Sequence, residues 1–375
     1  MRFKKTYTVF IIPLIVILWG GVFIIAAELF VRAVGRDRYP LSGIAYDAII
    51  GWRNKRNMHY KKVKFNRLYS FTTNSRGFRD TEHSFLKKNN TKRIMFLGDS
   101  YTFGIRCSDE DIFTNVFERM INDEKGNDNN TRYEIMNVSS SAWSTDQELL
   151  YLMSEGVRYK PDYVILMIAQ NDIRESAAKN IIDIDTNIHQ LKRRRVSPVP
   201  WSVQLGWFLS NHFHSYQFLQ EKILKNNQGT FENIFLYFPV MFNVNGFSAY
   251  DESLYLKNIP QHVEEARALF KMLLYEMNNF CIKNNSHLIA VILPAKMEFN
   301  GELEDSHYDV SVVSHYIQKV ADEHNISFLN FFSLLQKEKR PLKIFFEDDL
   351  HFSAYGHDYI AQALCKYFIT QRKVL

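Results

Sequence analysis

Cysteine is scarce in this chain: three in 375 residues, Cys107, Cys281 and Cys365, far apart. They show neither paired spacing nor a metal-ligand pattern, so neither a disulfide framework nor a zinc site is expected. There is no glycine-rich phosphate loop and no metal-ligand cluster, and the chemistry is expected to need no cofactor. Internal repeats and long low-complexity tracts are also missing; residues 127–130 form one short polar loop. Acid is absent between Arg53 and Arg79, where Lys55, Arg56, Lys61, Lys62, Lys64, Arg67 and Arg76 fall together. Aromatic residues (Trp52, Tyr60, Phe65, Tyr69) interleave there, but no nucleic-acid module accompanies them, so nucleic acid is not an expected partner. The stretch reads as a solvated basic collar or one lying on lipid head groups.

With 46% hydrophobic and 23% charged residues the chain is globular, and thirty Phe and twenty Tyr suit a packed interior. Charge is also lacking from Thr6 to Ala27, which follows Arg2, Lys4 and Lys5 and is dense in Ile, Val, Leu and Phe. That run is long enough to cross a bilayer as a helix, and it continues past Ala26-Ala27 through Leu29-Phe30-Val31, which favours a retained anchor over a cleaved signal peptide. Arg32, Arg36 and Arg38 nearly balance the charge rule, so orientation rests on the short tail and the large C-terminal part. The expectation is a single-pass protein of the inner membrane with its body periplasmic or otherwise outward-facing.

Three regions are expected: a tail and transmembrane anchor over 1–29, a juxtamembrane lead-in over 30–92 that packs on the main domain, and a main domain over 93–375. Strands are predicted at Arg93–Leu97, Tyr133–Val138, Tyr163–Ile168, Leu288–Leu293 and Ser327–Phe331. Helices fall between them near 112–122, 146–156, 263–281, 312–323 and 354–369. Alternation of this kind means a parallel sheet, here a five-stranded three-layer α/β/α sandwich. It is interrupted at about 175–260, an insertion holding the run Lys192–Arg195 and the aromatic stretches Trp201–Phe218 and Phe231–Phe247. The basic run reads as a solvated loop before an anion grip, and the aromatic stretches as subdomain core or a lid over an acyl groove.

Catalytic groups in open parallel sheets sit at the carboxyl ends of strands. Gly98-Asp99-Ser100 comes directly after the first strand here, Asn137 to Ala142 after the second, and Gln170-Asn171-Asp172 after the third. Asp348-Asp349-Leu350-His351 lies after the fifth. In this order the four blocks resemble those of the SGNH hydrolases, the GDSL-type esterase and lipase superfamily, of a membrane-anchored bacterial kind. The resemblance covers roughly 93–173 and 286–370 and implies a flavodoxin-like fold. It implies Ser100 as nucleophile, Asp348 and His351 as the Asp-x-x-His pair, and an oxyanion hole made by the Ser100 N–H, the Ala142 N–H and the Asn171 amide. Ala142 and Gln170 stand where the family has glycine. An alanine keeps the N–H, but its methyl group disfavours a positive φ.

The residue types suit those roles. A serine hydroxyl needs a base, His351 titrates in the useful range, and Asp348 would hold the imidazole in one tautomer, with Asp349 pointing away. Asp99 and Asp172 are expected to brace their turns, and His357 to be structural. The expected activity is that of a serine esterase acting on O-acyl, preferably O-acetyl, esters of a cell-envelope carbohydrate. The alternatives are an O-acyltransferase to polysaccharide, a lipase-like enzyme for lipid acyl chains, or a non-catalytic envelope component. The acylated carbohydrate and the membrane are then the expected partners.

Overall fold

A computed structural model describes residues 3–34, 43–64, 67–123, 131–179, 181–185, 188–193 and 252–372, with eight positions between 205 and 216. Arg194 and Arg195 of the basic run, the stretch Phe231–Phe247 and most of Trp201–Phe218 lie outside the described residues. The chain divides into two compact units: one of residues 1–43 with 199–238, the other of 44–198 with 239–375.

The first unit is dominated by helix α1, Phe3–Val34. Its segment Ile12–Ala33 is 22 residues, about 33 Å at ~1.5 Å per residue, against a hydrocarbon core of about 30 Å. The segment is long and apolar enough to cross a membrane, a test that a signal sequence near the N-terminus also passes. The one acid in that segment, Glu28, is buried and satisfied within the unit. It takes the Arg32 Nε–H at 2.7 Å, the His214 and Ser215 backbone N–H groups at 2.9 Å, and the Ser215 hydroxyl at 2.7 Å.

The second unit is built on a five-stranded parallel sheet: β1 (Thr91–Gly98), β2 (Arg132–Ser139), β3 (Tyr163–Ile168), β4 (His287–Ile292) and β5 (Ser327–Asn330), in the order β2-β1-β3-β4-β5. Ile94 pairs with Ile135 and Tyr163, and Ile289 with Ile165, so the apolar runs lie side by side at the centre. Strands buried on both faces read as continuous hydrophobic runs, which is why β1, β3 and β4 stand out in the sequence. The side chains of β1 alternate: Ile94 and Phe96 join the core formed with α3 (Phe113–Asp123) and α9 (Ala354–Arg372), which holds Phe117, Ile121, Ile360 and Leu364. Packed together elsewhere are α4 (Thr145–Ser154), α5 (Gln170–Lys179) and α6 (Gln261–Lys283). Helix α7 (Val312–Glu323) packs on β4 and β5. The fold is thus the α/β architecture with a five-stranded parallel sheet that the sequence pattern predicts.

Local structure differs from expectation in the lead-in and at the start of the insertion. Residues 44–72 form two antiparallel hairpins, Ile44–Asp47 with Gly51–Asn54 and His59–Lys64 with Arg67–Thr72, where irregular chain was expected. Strands of four to six residues, several of them charged, leave too short a period-2 signal to read. A third hairpin pairs Ile182–Asp185 with Gln190–Arg193, and α5 carries regular structure to Lys179, past the predicted end of alternation near Arg174.

Residues 79–86 are pinned to the sheet by charge. Buried Arg93 on β1 gives its Nε–H to Glu134 of β2 at 2.7 Å and its other N–H groups to the carbonyls of Ser84 and Tyr159, both at 2.7 Å. Glu134 in turn meets His83 Nδ1 at 2.7 Å, and His83 Nε2 lies 3.0 Å from Asp80. Burial alone would lower the pKa of His83, but Asp80 and Glu134 outweigh it and raise it to about 10. The folded chain therefore holds this proton more tightly than the unfolded chain. Its contribution to stability is complete below the ordinary value of 6.5 and is lost as pH rises through about 10. Thermal unfolding of the wild type should weaken more steeply between these limits than that of His83→Gln, and parallel pH slopes would count against the network.

Candidate active site

The turn after β1 begins with a glycine that the packing requires. A Cβ on Gly98 would lie 2.1 Å from Thr102 Oγ1 and 3.2 Å from Met167 Cβ, so a side chain there would push Ser100's helix off the strand end. Asp99 caps α2 (Ser100–Phe103) by accepting the Tyr101 N–H at 2.9 Å, as expected of a turn-bracing acid. Asn137 on β2 supports the same helix, giving its amide to the Thr102 carbonyl and the Thr114 hydroxyl at 3.2 Å each. On the other side, buried Arg79 binds the carbonyls of Phe103, Gly104 and Cys107 at 3.0, 2.6 and 2.6 Å and pairs with Asp109 at 2.7 Å. A cation donating to three carbonyls fixes the path of the chain that leaves the serine.

That path delivers Arg106, a non-glycine residue at φ +68°, to the segment that carries the histidine. The Ser100 hydroxyl lies 2.9 Å from His351 Nε2, and His351 Nδ1 lies 2.6 Å from a carboxylate oxygen. The carboxylate is that of Asp349 and not of Asp348, which corrects the assignment from spacing. The reason is local: Asp349 Oδ1 also accepts the His351 backbone N–H at 3.1 Å, a two-residue Asx turn that brings this side chain under the ring. Asp348, its side chain 49% exposed, takes Arg106 Nη1 at 3.0 Å and Nη2 at 3.4 Å, and Arg106 Nη1 also reaches Asp349 Oδ2 at 3.1 Å.

Two cations therefore hold the acid in place. Arg106 stacks on Phe346, its guanidinium carbon 4.4 Å from the ring centre. Lys296, in the turn after β4, gives its ammonium to the carbonyls of Phe346 and Glu347 at 2.8 Å and of Asp349 at 3.2 Å. Burial would raise the Asp349 carboxyl, but the hydrogen bond and charge of His351, with Arg106 behind, hold it well below the usual carboxylate range. His351 itself is 1% exposed, with the Tyr101 ring 5.0 Å away. His357 is the structural histidine it was expected to be. Its Nδ1 accepts the Phe113 N–H that opens α3, and burial, with Arg79 and His351 nearby, lowers its pKa to about 3.

Ala142 sits at φ +61°, the region its methyl group disfavours by roughly 1–2 kcal/mol. The loop around it is clamped. Trp52 Nε1 donates to the Ser141 carbonyl at 3.0 Å, Asn54 to the Ser139 carbonyl at 2.8 Å, and Lys179 Nζ to the carbonyl of Ala142 itself. Asn171 opens α5, and its amide nitrogen lies 3.0 Å from Asp99 Oδ2 and 3.3 Å from Glu175 Oε1. Asp99 is fully enclosed, and burial raises its pKa to about 6 against the bonds from Asn171 and Tyr101. Asp172 braces its turn, taking the Ala169 N–H at 2.8 Å.

The structure thus brings Ser100, His351 and Asp349 into one chain of hydrogen bonds, with Asn171 joined to Asp99 beside the serine. Sequence reasoning set Asp349 aside although it stands next to the chosen residue. Arg79, Arg106, Lys179 and Lys296 left no signal, since each acts on a segment distant in sequence. Among the described residues no group of three or more His, Cys, Asp or Glu is arranged to hold a metal ion.

The GDSL-like lipase/acylhydrolase family model matches residues 94–202, a segment that holds Ser100, Asn137, Ala142 and Asn171. No curated protein matches the chain. Among solved structures it is similar to TesA, at 9% identity and a TM-score of 0.41 over 73% of this chain and 96% of that one. A lipase/acylhydrolase from Enterococcus faecalis gives 13% identity and 0.40 over 75% and 96%. Axe2, an acetylxylan esterase from Geobacillus stearothermophilus, gives 15% and 0.39 over 73% and 93%. Residues 94–202, less than a third of the chain, thus match the model of the GDSL-like lipase/acylhydrolases, and β1, β2 and β3, the strands that lead to Ser100, carry Asn137 and end at Ile168, fall in or across that segment.

Proposed function

We propose that the chain is a membrane-anchored serine esterase that removes O-acetyl groups from a cell-envelope carbohydrate, with Ser100, His351 and Asp349 as its triad. The observation that carries the reading is the relay itself, 2.9 Å from Ser100 Oγ to His351 Nε2 and 2.6 Å from His351 Nδ1 to Asp349. His351 takes the serine proton as Oγ attacks the acyl carbon, and Asp349 holds the ring in the tautomer whose Nε2 is free to accept. The negative charge that develops on the carbonyl oxygen falls to the N–H groups of Ser100 and Ala142 and to the Asn171 amide. Collapse breaks the ester C–O bond, and His351 returns the proton to the leaving carbohydrate hydroxyl. Water, deprotonated by the same histidine, then attacks the acyl carbon, the Oγ–acyl bond breaks, and His351 returns the proton to Ser100 Oγ as acetate leaves.

The substrate class rests on the motif blocks together with α1, which would hold the active unit at the membrane on its outward side. Detergent-solubilised full-length protein assayed on p-nitrophenyl acetate, butyrate and laurate, and on O-acetylated polysaccharide with released acetate measured, tests it. kcat/KM should be at least about tenfold higher for acetate than for laurate, the discrimination an acyl pocket reaches through a few methylene groups. A laurate preference would replace the carbohydrate reading with a lipid one, and inertness toward every ester would sink the catalytic reading.

A further inference from the structure

Two of the proposed oxyanion donors come from separate elements, Ala142 from the loop after β2 and Asn171 from the start of α5, and must converge on one oxygen. A single buried ion pair touches both. Lys179 Nζ bonds the Ala142 carbonyl, reaches Ser144 Oγ at 2.9 Å and lies 2.9 Å from Glu175 Oε2, while the other Glu175 oxygen takes the Asn171 amide at 3.3 Å. Lys179 and Glu175 stand four residues apart on α5 and are 5% and 7% exposed, and Glu175 Oε1 also meets Arg174 Nη2 at 3.1 Å, so the buried carboxylate is held between two cations. Trp52 completes the set. Its ring lies 5.1 Å from the Lys179 ammonium, and its Nε1–H holds the Ser141 carbonyl at 3.0 Å. The Ala142 N–H belongs to that same planar peptide and points opposite the carbonyl, so Trp52 sets its direction.

We infer that Lys179, Glu175 and Trp52 are positioning residues that align the oxyanion donors of this site; the inference rests on the esterase reading above. Ala142 keeps its left-handed backbone because the peptide on each side of it is held by a side chain from elsewhere, Trp52 before it and Lys179 after it. Glu175 fixes the rotation of the Asn171 amide through its longer, weaker contact, while Asp99 holds the same nitrogen at 3.0 Å. None of the three residues needs to touch substrate. Their loss should therefore appear in the chemical step and not in binding.

The test is the hydrolysis of p-nitrophenyl acetate by detergent-solubilised full-length protein, with kcat and KM measured separately and folding monitored by thermal unfolding. Lys179→Met and Glu175→Leu should each lower kcat about 10- to 100-fold, short of the hundred- to thousandfold typical of losing a donor outright, with KM within about threefold. Lys179→Arg should restore most of the loss. Because Glu175 acts through Asn171, Glu175→Leu should cost nothing more in an Asn171→Ala background. Trp52→Phe loses the N–H together with half of a buried ring system, so it should lower the melting temperature as well as lowering kcat about tenfold, and, assayed at a temperature where it is still folded, it carries the test if the buried-charge variants do not fold. Folded variants within threefold of the wild type, or a Glu175→Leu loss that persists without Asn171, would overturn the inference. A wild type that hydrolyses no ester would remove the reading beneath it instead.

Discussion

Asp349→Asn should lower kcat by about 10⁴-fold, while Asp348→Asn should stay within about threefold of the wild type. An amide is nearly isosteric with the carboxylate, so the turn at 349–351 can persist and the loss is chemical. His351 Nδ1 now faces a group that can present its NH₂, which favours the tautomer with the proton on Nε2 and removes the base that Ser100 needs. The positive charge that His351 gains in the transition state also loses its counter-ion 2.6 Å away. Asp348 accepts from both Arg106 terminal nitrogens, but at a half-exposed position, and exposed ion pairs are worth little. Arg106 keeps Asp349 as its second partner. The comparison is made on kcat with p-nitrophenyl acetate at saturating substrate. A larger loss in Asp348→Asn than in Asp349→Asn would return the orienting role to the residue that spacing alone selects.

The reversal of these neighbours shows where a sequence stops being readable. An aspartate three residues before a histidine and one two residues before it look equally able to reach Nδ1. The difference is made by the backbone N–H of His351, which turns Asp349 inward, and by Arg106, which draws Asp348 outward. The Arg106 contact spans 242 residues and leaves no trace in local pattern. The three central strands were legible for the opposite reason, because burial on both faces writes a continuous apolar run into each. Ser100 stands out because it falls at a strand end, where the topology leaves side chains facing one crevice, whereas His351 follows the last strand only after the helix Phe331–Leu335 and the turn Pro341–Ile344 and is marked by its Asp-x-x-His block alone. The lead-in hairpins were not, since strands such as Gly51–Asn54 are four residues long and owe their place to partners like the Ser139 and Ser141 carbonyls. Ala142 falls between these cases. The sequence showed that a residue with a methyl group stood where a positive φ was at issue, and the structure places it at +61° with both neighbouring peptides clamped.

Ser100→Ala should abolish ester hydrolysis, with a loss of at least about 10⁴-fold in kcat and a melting temperature close to that of the wild type. The activity goes because the hydroxyl placed against the base is lost: His351 Nε2 is 2.9 Å from Ser100 Oγ, and the acyl-enzyme cannot form without that oxygen. Stability should survive because the fold around the serine is held by other groups. Asp99 caps the helix, Arg79 and Asn137 fix its carbonyls, and Gly98 gives it room against the strand. The hydroxyl adds one hydrogen bond to a buried histidine, a net contribution of about 1 kcal/mol. The residual rate then measures what the proposed oxyanion donors and binding achieve by presenting an ester to water. A fluorophosphonate probe should label the wild type on the peptide containing Ser100 and leave Ser100→Ala unmodified. Retention of more than about a tenth of wild-type activity in Ser100→Ala would place the nucleophile elsewhere and dissolve the triad, because the relay from Asp349 through His351 ends on the Ser100 hydroxyl.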